Sequence, residues 1–296
     1  MKKYFLKIGI VFLLLFPLMI LGTFYDFEIT YELSQVYYKD GSYVYTPPIW
    51  VIPVEIISEI PAMILFAISS TLAYNYIIKC LGKNIRYKCF SGIMITISVF
   101  SIFRLGQTLT MGITNNYELS YIWYIGIAII SILVFFLLNL NLKKVNVDKL
   151  KAMYGVVMIT ICAGIVVLGV TGVIKYTWGR PRLRNLIDEG SMQGYLPWYK
   201  PMLFSGYTSF PSGHSAKAGY MFILSLWFEN NVKVQRIMNM FTWIYVLIVC
   251  GARLMQAEHY LTDVVFGTFI TYVIVEMFKC LFYSEWMKKY REKSKS

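Results

Sequence analysis

What most limits this chain is the recurrence of apolar stretches about twenty residues long, near 4–24, 60–79, 90–108, 120–142, 152–174, 213–229, 237–254 and 263–284. A hydrocarbon core about 30 Å thick takes roughly 20 helical residues to cross. Inside it an α-helix satisfies its own backbone hydrogen bonds, whereas an irregular segment does not. Composition agrees, since 57% of the 296 residues are hydrophobic and only 15% are charged, a balance too apolar for a soluble domain. The expectation is an all-α fold, a polytopic integral membrane helix bundle of about eight transmembrane helices with both termini on one side. The opening lysines could belong to a signal peptide, but "LGTFYDF" offers no small-x-small cleavage site, so the first helix is read as retained.

Charge then orients the bundle. With a cytoplasmic N-terminus, one face receives Lys79, Lys83, Arg86 and Lys88, then "KKVNVDKLK", Lys233 and Arg236, and the tail "MKKYREKSKS". That asymmetry is the positive-inside pattern, so the net charge of +12 speaks for topology and anionic lipid headgroups and not for nucleic acid. Cys80, Cys89, Cys162, Cys250 and Cys280 show no paired or metal-ligand spacing and are read as free packing residues. No internal repeat, low-complexity tract or soluble domain interrupts the chain, so 1–296 reads as one membrane-embedded domain. Of the two long outer segments, Tyr25–Pro48 is expected along the membrane surface and Trp178–Pro211 over a site.

Three short segments fall on the face opposite the basic loops. In "KYTWGRPRLR", Lys175 and Arg182 are seven residues apart, so a helical or nearly helical exit would point both cations the same way, with Arg180 and Arg184 on other faces. In "FPSGHSAKAGY", Pro211, Ser212 and Gly213 precede a helix whose first N–H groups and a nearby hydroxyl form a ready anion site. His214 stands at its rim. In "ARLMQAEHYLTD", Arg253 ends one helix, and His259 and Asp263 lie four apart at the start of the next, which brings a carboxylate within reach of one imidazole nitrogen. The cations and the N–H nest ask for a dense polyoxygen anion, phosphate above all. Two histidines in unlike surroundings suit a nucleophile and an acid, and nothing resembles a metal cage.

Each cluster alone has a plainer meaning: interfacial anchors for Lys175 and Arg182, an ordinary cap for Pro-Ser-Gly, a local helix-start pair for His259 and Asp263. Arg104 is read as snorkelling to the interface, where Glu55 and Glu59 are also expected. All three clusters in order on one face, using both of the chain's histidines, argue for a site.

Together the segments resemble the signature of the type 2 phosphatidic acid phosphatase superfamily: Lys-x6-Arg-Pro, then Pro-Ser-Gly-His, then Ser-Arg-x5-His-x3-Asp. Here these read Lys175 to Arg182, Pro211 to His214, and Arg253 through His259 to Asp263, with the signature region at about 170–270. Leu183 stands where the family has proline, and Ala252 where it has serine. The family core usually has six spans, and the extra spans here lie within 1–150.

The resemblance implies a lipid phosphate or lipid diphosphate phosphatase in which His259, oriented by Asp263, attacks phosphorus and forms a phosphohistidine. His214 would protonate the leaving oxygen. Lys175, Arg182, Ser212, Gly213 and Arg253 would hold the phosphoryl oxygens, without metal or other cofactor, and Arg180, Arg184 and Lys217 would give supporting contacts or bind headgroup. The expected setting is a bacterial plasma membrane with the site facing outside and undecaprenyl diphosphate among the candidate substrates. Two rivals stay open: a lipid phosphotransferase using the same phosphohistidine, and a non-catalytic lipid or anion transporter.

Overall fold

Helix α1 (Lys2–Leu33) shows at once how this chain handles long apolar segments, since it continues past the expected end near residue 24. It changes direction at Tyr25, whose φ of −129° and ψ of 19° are not helical. A computed structural model describes residues 2–81, 84–114 and 119–284. After α1 come a two-stranded antiparallel hairpin, β1 (Val36–Lys39) and β2 (Ser42–Tyr45), then α2 (Val51–Ile57), α3 (Ile60–Tyr76), α4 (Ile85–Thr114), α5 (Tyr121–Leu142) and α6 (Val147–Trp178). The short α7 (Leu183–Asp188) precedes α8 (Gly213–Tyr220), α9 (Val232–Met255) and α10 (Leu261–Phe282).

Among the described residues, seven helical segments are long and apolar enough to cross a membrane, and the chain is a polytopic helical bundle. The eighth expected span is built differently. From 213 to 228 the chain runs as α8 and then as a 3-10 stretch, Met221–Phe228. Eight residues rising about 1.5 Å and eight rising about 2.0 Å reach roughly 28 Å, close to the thickness of about 30 Å that a span must cover. The tighter winding lengthens a segment of too few residues. Lys83 and the basic tail 287–296, both used to orient the bundle, lie outside the described residues.

The chain divides into two compact units. One consists of Ile165–Met277 with the N-terminal residues up to Ser58; the other consists of Glu59–Gly164 with the residues from Phe278 onward. In the second, α3, α4 and α5 pack together, with Tyr76 stacked on Tyr154 at 3.9 Å. Thr71 and Ser98 share a hydroxyl hydrogen bond of 2.8 Å, and Asn75 donates to Asn139 at 2.9 Å. Arg104 reaches Glu59 at 3.9 Å and also bonds Gln107, so it is paired as well as half-exposed.

In the first unit an apolar cluster of Val36, Leu183, Leu186, Ile187, Ala257 and Tyr260 ties the hairpin and α7 to the turn between α9 and α10. Ser34 reinforces that turn, donating to Leu254 O and accepting from Ala257 N–H. The segment 25–48, expected along the membrane surface, braces the turn that carries the third motif. All five cysteines are free thiols.

Candidate active site

The first motif does not leave the membrane as a continuous helix. α6 stops at Trp178, and Gly179 takes φ +68°, a left-handed conformation open to glycine. A Cβ there would also lie 2.0 Å from Met202 O. Residues 179–182 are irregular, and Arg182 is the N-cap of α7, its N–H donating to Asn185 Oδ1. The helical spacing expected between Lys175 and Arg182 is therefore broken. Tertiary packing gathers their charges instead: Lys175 Nζ lies 3.6 Å from where a Gly213 Cβ would be, and Arg182 turns toward Glu258 and Thr208. Leu183, which departs from the family proline, is buried in the cluster with Ala257 and Tyr260. It serves packing between the first and third motifs.

The second motif is the α8 N-terminus. Ser212 is the N-cap, its Oγ accepting from Ser215 N–H, and Phe210–Pro211 is a cis peptide. The turn is tied to the third motif by Ser212 N–H donating to Asp263 O at 3.0 Å. His214 occupies the first turn of α8, and Lys217 lies in its last turn.

His259 and Asp263 are both buried. Nδ1 of His259 stands 3.6 Å from Asp263 Oδ2, beyond hydrogen-bond length but within reach of a small ring rotation. Asp263 itself is firmly held. Oδ1 accepts from Arg180 Nη1 at 2.6 Å, and Oδ2 accepts from the Ser209 hydroxyl at 2.5 Å and Tyr260 N–H at 2.9 Å. Ser209 and Tyr260 gave no signal in the sequence, because the bonds span a turn and a 54-residue separation.

Arg253 is buried at the end of α9. Its Nη1 bonds Gln256 Oε1 at 2.6 Å and Glu55 Oε1 at 3.0 Å, and its Nη2 reaches Glu258 Oε2 at 3.1 Å. Glu258 also takes Arg182 at 2.5 Å and Arg184, so one carboxylate meets three guanidiniums. Burial would raise its pKa, but Arg253, Arg182 and Arg184 overcome this and hold it below the ordinary carboxylate value. Glu55, expected at the interface, faces Arg253.

Burial pushes the His259 pKa down to about 3; the Asp263 carboxylate opposes the shift, and Lys175, Arg182 and Arg253 reinforce it. These three cations thus act together on the imidazole, which such a shift leaves neutral at pH 7 with a lone pair on one nitrogen. Such a site can bind a multiply charged oxyanion and present a nitrogen nucleophile to it. Among the described residues, no group of three or more His, Cys, Asp or Glu side chains is placed to hold a metal ion.

No curated protein and no solved structure matches the chain. Residues 150–286 match a family model described as the PAP2 superfamily. That stretch contains all three motifs, from Lys175 to Asp263, and its match supports membership of the PAP2 superfamily.

Proposed function

We propose that the protein is a membrane phosphatase that removes phosphate from a lipid phosphate or lipid diphosphate through a phosphohistidine on His259. The observation that carries this reading is a buried imidazole 3.6 Å from an anchored carboxylate, with Lys175, Arg182 and Arg253 near enough to act on its charge. In the first step His259 Nε2 attacks phosphorus, the bond from phosphorus to the ester or bridging oxygen breaks, and His214 gives that oxygen a proton. Asp263 supports the positive charge that develops on the ring. In the second step His214 takes a proton from water, which attacks phosphorus and frees His259 with inorganic phosphate. Lys175, Arg182, Arg253, Ser212 and the Gly213 N–H offset charge on the phosphoryl oxygens where it is greatest.

A lipid substrate fits a site carried by membrane helices, because a headgroup anchored at the interface arrives concentrated and oriented. The purified full chain, given undecaprenyl diphosphate, phosphatidylglycerol phosphate and phosphatidic acid in parallel with a chelator present, is expected to release inorganic phosphate from at least one. His259→Ala is expected to lower that rate by at least about 10³-fold. Release that survives the substitution, or that needs added metal, would overturn the mechanism; a phosphorylated acceptor lipid in place of phosphate would make the protein a transferase.

The site is proposed to face the outside of a plasma membrane, opposite the basic loops and the termini. Cysteines placed at Asn185 and Gln256 in a cysteine-free background should react with an impermeant reagent added outside intact cells. If both stay unlabelled, the orientation is reversed.

A further inference from the structure

Asp26 lies on α1, outside the segment that matches the family and outside all three motifs. It is 1% exposed, and a carboxylate so deep persists only with partners. Its Oδ1 accepts from Thr262 N–H at 2.9 Å; its Oδ2 stands 2.9 Å from Arg180 Nη2 and also bonds the Thr262 hydroxyl. α1 reaches the start of α10 this closely because of Gly22, where a Cβ would lie 2.7 Å from Thr262 Cγ2.

Arg180 is equally constrained. Nη1 donates to Asp263 Oδ1 at 2.6 Å and to Thr262 Oγ1 at 3.0 Å, Nε donates to Leu196 O at 2.8 Å, and the guanidinium lies 4.1 Å from the Tyr260 ring centroid. One planar cation therefore bridges two carboxylates, and one of these faces His259. Replacing Arg180 would leave two buried carboxylates without their shared cation.

We infer that Asp26 is a positioning residue for the His259–Asp263 pair, acting through the Arg180 guanidinium. It fixes the fork that holds Asp263 Oδ1, so that Oδ2 stays directed at the imidazole. It also divides the fork's charge: Asp26, Arg180 and Asp263 sum to −1, whereas with a neutral residue at 26 they sum to zero. His259 is faced by Lys175 from α6, by Arg182, by Arg253 from α9 and by neighbouring Glu258, with His214 and Lys217 on α8. Against those cations, the residual negative charge of the trio supports the ring as it becomes positive. The inference rests on His259 being the nucleophile, and it gives α1 a part in the chemistry.

The test uses the full chain in detergent. Asp26→Asn keeps the shape and removes the charge, and kcat for the lipid phosphate is expected to fall roughly tenfold to hundredfold. That is less than the ~10⁴ lost when the orienting carboxylate of a Ser-His-Asp site is itself neutralised. KM is expected to change less than about twofold, and the acid limb of kcat/KM to move to lower pH. A fall in thermal stability with kcat and the acid limb unchanged would make Asp26 merely structural, and a raised KM at constant kcat would make it a binding residue; either overturns the inference.

Because the chain has only two histidines, histidine-selective ¹³C labelling gives a second readout that needs no turnover. The His259 ring signal, assigned through His259→Gln, should move in Asp26→Asn while the His214 signal stays. If neither moves, the inference fails whatever the activity. A wild-type chain without turnover would defeat the phosphatase reading, while the ring signal would still decide the role of Asp26. Should Asp26→Asn not fold, Thr262→Val removes the hydroxyl shared by Asp26 and Arg180 and keeps every charge. It is expected to shift the His259 signal in the same direction and by less; no shift there would equally overturn the inference.

Discussion

The two units bury polar groups in different proportions. In the unit of α3, α4 and α5, Glu59 and Lys279 are buried charges, but most buried polar groups are neutral and bond their own helix: Thr71 to Ala67 O, Ser131 to Ile127 O and Thr160 to Val156 O, each one turn back. Only a few bonds run between helices, such as Thr71 with Ser98 and Asn75 with Asn139. Serine and threonine in this role sit in a membrane helix with little penalty. In the other unit Asp26, Arg180, Arg253, Glu258 and Asp263 are buried and held in ion pairs. Stability does not favour such a set, because desolvating the charges offsets most of their attraction. A unit that keeps them is specified for chemistry; its neighbour is specified for packing.

If that contrast is right, the effects of substitution should divide along it. The largest is expected at Arg253. Its replacement by alanine would remove a proposed phosphate ligand and should lower kcat/KM by about 10²–10³-fold. Arg253 is also one of the cations that hold the His259 pKa down, so the acid limb of kcat/KM should move up toward the ordinary imidazole value of 6.5. The sign follows from removing a positive neighbour. A pH–rate profile in which the limb stays in place would detach Arg253 from the imidazole.

A smaller effect is expected at Glu258, where a carboxylate occupies guanidiniums that a phosphate would need. Glu258→Gln should lower KM by up to about tenfold, a change of roughly 1.4 kcal/mol, with kcat little changed. A higher KM would show that Glu258 holds Arg182 and Arg253 in place and does not compete with substrate. The smallest effect is expected in the other unit. Asn75→Ala removes its cross-helix bond to Asn139 and should lower stability by about 0.6–2 kcal/mol, with kcat/KM within about twofold. A large loss of turnover there would dissolve the contrast between the units.

Much of this was legible in the chain. Every apolar stretch picked out in the sequence is helical in the structure, including 213–228, because a helix is the one conformation that twenty apolar residues can adopt in lipid. Lys175, Ser212, Gly213, His214, Arg253, His259 and Asp263 stand out by residue type and short spacing alone. The Lys175–Arg182 spacing was less informative than it looked, since Gly179 interrupts the helix between them. Asp26 and Glu258 gave no signal at all, and Glu55 none that tied it to the site. Asp26 lies 154 residues from Arg180, and no periodicity links residues so far apart.

The sequence by itself determined the solvent, the helices and the chemical types at the site, because hydropathy and short-range spacing act within a single segment. Only the tertiary structure decided which carboxylate meets which cation. The Asp26–Arg180–Asp263 bridge and the gathering of three arginines on Glu258 arise where α1, α7, α9 and α10 converge. Ion pairing at a few ångströms depends on distance in space, and distance along the chain carries no record of it.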